Sequence, residues 1–390
     1  MTRDFTMAPR QSLPFADRWR AWRNDLIADA RVQRWAARLP LVRRVASKRA
    51  NALFDLCAGF VYSQVLLACV RLDVFERLAD GPQDVAQLAR SFGLEVDAAA
   101  RLLDAAVALE LLERRGAGRY GLAELGAALR GNPGVTAMIE HHELLYADLA
   151  DPVALLRQRS GATQLAQHWP YSTAAEPKSL SAERVGKYTQ LMSASQPLVS
   201  QDVLDAYDFS RHRCLLDVGG GDGTFLAAVA ARCPDLALRL FDLPGVVAIA
   251  GERLASRGLS QRIERIAGSF TSDPLPQGAD VISLIRVLHD HDDEVVYGLL
   301  AAVCRALPAG GTLVIGEPLA GTRGAAAMGD AYFGLYLHAM GSGKPRTATR
   351  LAEMLRISGF EAVRQVPTAR PLLAGVLTAR KSWLNPVKIA

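Results

Sequence analysis

The glycine-rich segment that follows Asp217 has the residue types and spacing of a nucleoside-binding turn. An apolar strand ends at Asp217, and Gly219, Gly221 and Gly223 follow it before a predicted helix. A strand, a glycine turn and a helix in this order bring a ligand against bare backbone amides. The dinucleotide pattern would require glycine where Thr224 stands, and the Gly-Lys-Ser/Thr of a phosphate loop is absent. The spacing therefore predicts a nucleoside ligand without phosphates.

Asp242 closes the next predicted strand, residues 236–241, and Leu243 follows it. A carboxylate at the end of this strand can accept hydrogen bonds from both hydroxyls of a ribose. The alternative is that Asp242 caps the helix that follows. Because Asp242 comes 23 residues after Gly219, the spacing favours the ribose role.

The composition indicates the class of protein. The chain has 390 residues, 50% of them hydrophobic, which is enough for two domains with ordinary cores. Its five cysteines are scattered and form no Cys-x-x-Cys pair, which predicts a reducing, cytoplasmic location without disulfides or a zinc site. No secretory signal is expected, because no apolar segment follows the first basic residues. The best candidate for a membrane span, residues 56–70, is short and contains Ser63 and Gln64, so no span is expected.

Basic and aromatic residues are concentrated in residues 1–50, which contain 12 arginine or lysine residues, 4 aspartates and three of the five tryptophans. Phe15, Trp19, Trp22 and Leu26 fall on one face of a predicted helix. An aromatic stripe on a basic helix is typical of a segment that lies on an anionic membrane surface. The alternative is a helix pair that packs on a partner subunit. We expect a basic amphipathic arm, and both interpretations stay open at this point.

Residues 51–130 have the pattern of a winged-helix domain. A long helix over 51–78 precedes a helix–turn–helix pattern and a hairpin over 112–120. In a DNA reader the second helix of the pattern, residues 95–112, would be basic. Here it holds four acids and one arginine, so no nucleic-acid partner is expected. We predict a helical, winged-helix dimerisation domain and a homodimer.

The rest of the chain divides by pattern into a helical linker that contributes to the substrate pocket (131–205), an α/β domain (206–380) and a tail (381–390). Alternating strands and helices predict a doubly wound, Rossmann-like sheet that binds its ligand at the carboxyl ends of the strands. The predicted strands are 213–218, 236–241, 263–267, 279–285 and 311–316, with a final antiparallel pair at 361–366 and 373–379.

Five motifs occur in an order that carries a family resemblance. They are Leu-Asp-Val-Gly-Gly-Gly-Asp-Gly at 216–223, Phe-Asp-Leu-Pro at 241–244, Gly-Ser-Phe at 268–270, Arg-Val-Leu-His-Asp-His-Asp-Asp-Glu at 286–294 and Gly-Glu-Pro at 316–318. In these motifs the chain resembles the S-adenosylmethionine-dependent O-methyltransferases of the plant caffeate type and their bacterial relatives, over roughly residues 51–380. Within that group it is most similar to the hydroxyneurosporene/demethylspheroidene O-methyltransferases, on segments 32–37, 54–64 and 140–146.

The resemblance implies a class I methyltransferase fold, S-adenosylmethionine as the methyl donor and S-adenosylhomocysteine as the product. It implies that His289 is the general base, that Glu317 holds this histidine, and that no metal takes part. Tyr188, Met192 and Asp290 are implied to face the substrate. The implied cofactor-binding positions are Asp217, Gly219, Gly221, Asp242, Leu243, Ser269, Phe270 and Arg286.

The chain departs from the family pattern at three positions. Ser269 stands where an aspartate is usual, which weakens the expected contact with adenine. Ile285 replaces a lysine four residues before His289, with Arg286 next to it. Pro345 replaces a second acid that would hold the histidine. The last change predicts that the base is positioned differently here than in enzymes that act on phenols.

The resemblance implies that the acceptor is the tertiary 1-hydroxyl of an acyclic hydroxycarotenoid. Methyl transfer to an alcohol requires loss of a proton, and neutral imidazole is well suited to accept it near pH 7. A tertiary alcohol is far less acidic than a phenol, so we expect the proton to leave during or after methyl transfer. The alternative role for His289 is to cap the helix that starts near Asp292.

Two other functions stay open. The same fold could methylate a tetrapyrrole or an aromatic polyketide hydroxyl, although the missing second acid argues against a phenol. A winged-helix regulator with a degenerate methyltransferase domain would need a basic recognition helix and a lost base, and the sequence shows neither. The carotenoid substrate and the basic arm favour a cytoplasmic enzyme that associates peripherally with the membrane.

Overall fold

The computed structural model describes residues 14–36, 38–157, 163–169, 177–371 and 373–383. The chain divides into two compact units, Met1–Ala123 and Glu124–Ala390. The first unit is mainly helical, and the second contains a seven-stranded sheet.

From residue 14 onward, the described part of the first unit contains four consecutive α-helices before the helix–turn–helix. They are α1 (Phe15–Ala28), α2 (Ala30–Ala36), α3 (Pro40–Arg71) and α4 (Val74–Arg77). The sequence predicted one helix over 51–78, but α3 begins at Pro40, so residue 50 lies inside it. Proline suits a first helical position, and the arginine-rich turns that follow form helix well without an apolar period. The break after Arg71 is at Asp73, whose φ of 53° is left-handed.

The helix–turn–helix and hairpin predicted for this unit are confirmed as elements. They are α5 (Val85–Phe92), α6 (Val96–Ala108), β1 (Leu112–Arg115) and β2 (Arg119–Leu122). Asp84 and Gln87 form a capping box at the start of α5, and Gly93 ends that helix with a φ of 67°. Asp104 of α6 accepts hydrogen bonds from Arg114 and from the Tyr120 hydroxyl (2.7 Å), so an acid of α6 holds the hairpin.

The α3 helix is the one described segment that is long and apolar enough to cross a membrane, by length and composition only, with a mean hydropathy of 1.8 over its best window. The sequence predicted no membrane span over residues 56–70, because this stretch is short and contains Ser63 and Gln64. Only 17% of that window is buried, at Leu67, Cys69 and Val70 near its end, so α3 packs within the first unit at its C-terminal end and is exposed before it.

In the described residues of the second unit five α-helices precede the sheet, and the linker predicted over 131–205 is mainly helical there. They are α7 (Glu124–Arg130), α8 (Pro133–Asp148), α9 (Pro152–Arg157), α10 (Gln164–His168) and α11 (Ala182–Ala206). The helix α11 has Pro197 in its interior.

The predicted doubly wound sheet is confirmed. Its strands are β3 (Cys214–Val218), β4 (Ala237–Asp242), β5 (Ile263–Ala267), β6 (Val281–Ile285), β7 (Thr312–Glu317), β8 (Phe360–Val366) and β9 (Gly375–Lys381). They lie in the order β5-β4-β3-β6-β7-β9-β8, parallel except for β9, which is antiparallel to both of its neighbours. The strand order reverses beside β3, and this is where such sheets bind ligands.

Helices cover both faces of the sheet. They are α12 (Thr224–Arg232), α13 (Pro244–Ser256), α14 (Asp293–Ala306) and α16 (Ala348–Ile357). A π-helical segment at Ala327–Tyr332 leads into α15 (Phe333–Met340), which packs on α8 and α10 instead. All five residues of β6 are buried, as a parallel strand covered on both faces requires. Its one polar residue, Ser283, donates a hydrogen bond to Asp217 of β3 (2.5 Å).

Candidate active site

A cavity of about 460 Å³ lies at the carboxyl ends of the strands of the second unit. The loops after β3, β4, β5 and β6 line it, together with residues of α11. All eight residues predicted to bind the cofactor contribute to its wall, as do Met192 and Asp290. The side chain of Tyr188, which was predicted to face the substrate, lies outside the described residues.

The glycine turn between β3 and α12 needs glycine for two reasons. Gly219, Gly221 and Gly223 all have left-handed φ values, of 71°, 58° and 80°. A Cβ on Gly219 would also come within 2.8 Å of Val287 Cγ2. The corresponding position on Gly221 has nothing within 4 Å, because this residue borders the cavity. The turn therefore presents open backbone of the kind that a nucleoside ligand requires.

Asp242 ties the glycine turn to the next strand. Its Oδ2 accepts a hydrogen bond from the Gly221 amide (2.8 Å), and its Oδ1 accepts one from the Leu243 amide (2.7 Å). The N-cap of α13 is Leu243, so Asp242 does not cap this helix. Burial raises the pKa of the Asp242 carboxyl to about 6. The predicted hydrogen bonds from Asp242 to a ribose stay a prediction. The structure places this carboxylate at the cavity wall.

Asp217 is a second buried carboxyl at the cavity. It is 1% exposed, and burial raises its pKa to about 7 although the hydrogen bond from Ser283 opposes the shift. The nearby Asp242 adds to the increase. Two buried acids at the ends of adjacent strands suit a ligand that carries hydrogen-bond donors and positive charge.

Ser269 and Phe270 lie after β5, on the cavity wall. The Ser269 hydroxyl is hydrogen-bonded to Thr271 (2.7 Å), and the Ser269 amide donates to the Asp273 carboxylate (2.8 Å). The acid that organises this loop is therefore Asp273, four residues beyond the family position. The His291 ring contacts the Phe270 ring edge-on, at 5.2 Å between centroids.

The predicted base and its holder come together behind the cavity wall. His289 lies in a turn after β6, and its Nδ1 is 2.6 Å from Glu317 Oε2 at the end of β7. The other oxygen of Glu317 accepts hydrogen bonds from the amides of Val287 (2.8 Å) and Leu288 (2.6 Å). One carboxylate thus fixes both the imidazole ring and the backbone that carries it.

Asp290 brings a second carboxylate to the same imidazole. Its Oδ1 lies 3.0 Å from His289 Nε2, which is an ion-pair distance when the imidazole is protonated, and accepts no hydrogen bond within the described chain. Burial lowers the pKa of His289, but Asp290 and Glu317 outweigh it, so the net shift is upward. Burial raises the pKa of Asp290 to about 6. The two acids favour the imidazolium form.

Where the family has a second acid, this chain has a backbone clamp. Arg346, 5% exposed, donates to the carbonyl oxygens of Leu288 (2.6 Å) and His291 (2.7 Å), on either side of His289. The Lys344 amide donates to the His289 carbonyl (3.0 Å). Arg346 and the Lys344 amide therefore hold the turn that carries His289 through its backbone carbonyls. This differs from a second acid that would hold the imidazole itself.

Arg286 connects the end of β6 to α11. Its φ of 60° is uncommon outside glycine. Its guanidinium donates to Ser195 Oγ (2.8 Å) and Met192 Sδ (2.9 Å), both on α11. Ile285, which replaces the family lysine, is buried at the end of the strand. The cation at the cavity is therefore Arg286, with neutral hydrogen-bond partners.

A polar network around Asp222 was not predicted from the sequence. Asp222 accepts hydrogen bonds from Ser193 of α11 and from Thr224 Oγ1 (2.7 Å), and it pairs with Arg253 of α13 (2.6 Å). It fastens α11 to the glycine turn. The three partners are far apart in sequence, so no local pattern could have indicated the network.

The adjacent histidines of α8 have separate partners. His141 Nε2 lies 2.7 Å from the Tyr336 hydroxyl, and His142 Nε2 lies 2.7 Å from the Tyr332 hydroxyl. Within the described part of the chain, no group of three or more His, Cys, Asp or Glu residues is arranged to hold a metal ion.

Known proteins match the chain over almost its whole length. An O-methyltransferase domain matches residues 146–361, and an O-methyltransferase dimerisation domain matches residues 54–131. Demethylspheroidene O-methyltransferase of Cereibacter sphaeroides is 45% identical over 91% of this chain and 93% of its own. The enzyme of that name from Rhodobacter capsulatus is 44% identical, over 88% and 85%. The structure of human N-acetylserotonin methyltransferase in complex with SAM has a TM-score of 0.70 at 26% identity, over 86% and 98%.

Proposed function

The chain belongs to the O-methyltransferase family, and from this premise we propose that it methylates the tertiary 1-hydroxyl of an acyclic hydroxycarotenoid, with S-adenosylmethionine as donor and S-adenosylhomocysteine as product. The observation that supports this substrate is the identity of 45% and 44% to two demethylspheroidene enzymes. An enzyme for a naphthoate hydroxyl, from Streptomyces sahachiroi, is 31% identical over a similar length.

The residues that line the cavity fit the cofactor by their chemistry. The open backbone at Gly221 and the carboxylates of Asp217 and Asp242 suit a nucleoside with a cationic amino-acid arm, and Arg286 supplies a cation for its carboxylate. The bound cofactor supplies an electrophilic methyl group on a sulfonium. Phe270 provides an apolar ring at the same wall for the adenine.

The protein residues position the acceptor oxygen and receive its proton. His289 donates its Nδ1 hydrogen to Glu317, which leaves Nε2 as the acceptor atom. The carboxylate of Asp290, 3.0 Å from Nε2, stabilises the imidazolium that forms. Helix α11, fixed at Asp222 and Arg286, supplies Met192 to the wall and keeps the site closed on that side. Positioning contributes most of the acceleration in such a transfer.

The match to a dimerisation domain over residues 54–131 supports a homodimer. The described face of α3 that suits this contact carries Leu53, Phe54, Leu56 and Phe60, each at least 64% exposed. An apolar face of this kind is costly to leave in water. We expect a second copy of the chain to cover it.

We also propose a cytoplasmic location with peripheral attachment to the membrane. All five cysteines are free, which suits a reducing compartment. A carotenoid is almost insoluble in water, so an enzyme that methylates it must meet it in or at a bilayer.

The substrate is tested by incubating the purified protein with isotope-labelled cofactor and candidate acceptors. The candidates are a 1-hydroxycarotenoid, a tetrapyrrole and an aromatic polyketide phenol, each followed by mass spectrometry. Label in the carotenoid alone supports the proposal. Label in a phenol or tetrapyrrole, with none in the carotenoid, identifies the other substrate class.

A further inference from the structure

The helices α1 and α2 expose aromatic side chains that the rest of the described chain leaves uncovered. Phe15 is 81% exposed, Trp19 51%, Trp22 58% and Trp35 61%. No residue of either helix is buried. Large aromatic surfaces that stay in water mark a contact with something outside the chain.

The exposed rings of α1 form one stripe with arginines at its edges. At about 100° per residue, Phe15, Trp19 and Trp22 fall within roughly 60° of one another on the helix. Arg18 and Arg23 lie on opposite flanks of this stripe, and the Arg23 guanidinium lies 5.8 Å from the Trp19 ring centre. Indole rings with cations beside them match the boundary between acyl chains and anionic headgroups.

Hydrogen bonds fix the turn between α1 and α2. The Asp29 side chain accepts a hydrogen bond from the Arg31 amide (2.6 Å) at the start of α2. The Gln33 side chain donates to the Ile27 carbonyl (2.9 Å) across the junction. The stripe of α1 is thereby joined to Trp35 of α2 through defined contacts.

The positive charge of this segment makes it unsuited to a contact between two copies of the chain. Residues 14–50 contain ten arginine or lysine residues and three aspartates. Two copies of so basic a segment repel each other, whereas an anionic surface attracts it. The family's dimerisation domain begins only at residue 54, beyond this segment.

We propose that the α1 stripe formed by Phe15, Trp19 and Trp22, together with the exposed Trp35 of α2 and the arginines of both helices, docks the enzyme on an anionic phospholipid bilayer. The proposal rests on the carotenoid substrate argued above, because that substrate dissolves in the bilayer. The indole rings lie among the headgroups, and the arginines pair with lipid phosphates. Docking brings the enzyme to its acceptor.

The test is co-sedimentation of the full-length protein with vesicles of phosphatidylglycerol or of phosphatidylcholine, without any substrate. We expect binding to phosphatidylglycerol that weakens with salt, since the long-range attraction is screened. The triple variant Arg18→Gln, Arg20→Gln, Arg23→Gln is expected to bind about a hundredfold more weakly.

A second variant tests the aromatic part, with a matched control elsewhere. Trp19→Ser with Trp22→Ser is expected to reduce binding, and Trp383→Ser, which removes an exposed tryptophan (76%) of the other unit, is expected to leave it unchanged. Light scattering and circular dichroism check assembly and folding of each variant. Activity on detergent-dispersed carotenoid should survive in both.

The outcomes separate this proposal from the proposed function. Wild-type protein that methylates carotenoid but does not sediment with phosphatidylglycerol overturns the docking surface alone. Protein that sediments but methylates no carotenoid overturns the substrate, not the surface. Variants that lose the dimer and keep vesicle binding assign the stripe to the partner subunit and refute the proposal.

Discussion

Substituting Glu317 with glutamine is expected to reduce turnover by about two to four orders of magnitude, because it would leave His289 in the wrong tautomer. In the wild type, Glu317 Oε1 accepts two backbone amides and Oε2 accepts the Nδ1 hydrogen of His289. A glutamine must keep its oxygen toward the amides of Val287 and Leu288, since a buried N–H facing two N–H groups is costly. Its amino group then faces Nδ1, and the imidazole hydrogen moves to Nε2. The atom that should receive the substrate proton is no longer free.

The assay is turnover on a 1-hydroxycarotenoid, with cofactor affinity measured separately by calorimetry. Glu317→Gln should keep wild-type affinity, because this side chain is 1% exposed and does not line the cavity. The control is Glu264→Gln, which removes a carboxylate paired with Arg239 on the same sheet. Turnover of Glu317→Gln within tenfold of the wild type, in a folded protein, would refute the tautomer argument and leave positioning alone as the source of catalysis.

Three further predictions concern the cofactor, the base and the clamp. Asp242→Ala should weaken S-adenosylmethionine binding strongly in calorimetry, since two charge-assisted hydrogen bonds to ribose would be lost, and an unchanged affinity would remove Asp242 from the site. Turnover should fall as the pH drops through the pKa of His289, because only the neutral imidazole accepts a proton. This pKa lies above the ordinary value for histidine. A turnover rate that does not change between about pH 5 and about pH 9 would contradict a histidine base. Arg346→Met should lower kcat at least about tenfold and reduce the Tm, with little change in cofactor affinity, because the carbonyls of Leu288 and His291 lose a charged donor. An unchanged kcat would show that the turn around His289 keeps its conformation without Arg346.

The sequence predicted β3, β4 and β7 well because each is a mainly apolar run that ends at or next to an acid. Asp217, Asp242 and Glu317 each close or nearly close a strand, so their placement at one edge of the sheet follows from parallel topology. The family resemblance implied that Glu317 holds His289, and the two side chains lie 2.6 Å apart in the structure. The start of α3 at Pro40 was missed, since arginine-rich turns carry no hydrophobic period.

Other features of the site depend on tertiary contacts that no local pattern reports. In the sequence Asp222 is one of several polar residues in the glycine-rich motif. In the structure it joins α11 and α13 through Ser193 and Arg253. From its sequence neighbours Arg346 would be expected on the surface. In the structure it is buried against the turn that carries His289. Such roles depend on which backbone carbonyls come to face a side chain, and that is decided only when the chain has folded.

The central claim is that this enzyme methylates a tertiary carotenoid hydroxyl. The most direct measurement is kcat/KM of the purified full-length protein for a 1-hydroxycarotenoid, compared with a phenolic acceptor of similar hydrophobicity under the same detergent conditions. We expect transfer of label to the carotenoid hydroxyl, with a kcat/KM at least about a hundredfold above that for the phenol, which is within the range available from differential binding of two acceptors. Equal or higher kcat/KM for the phenol, or no labelled carotenoid ether, would contradict it.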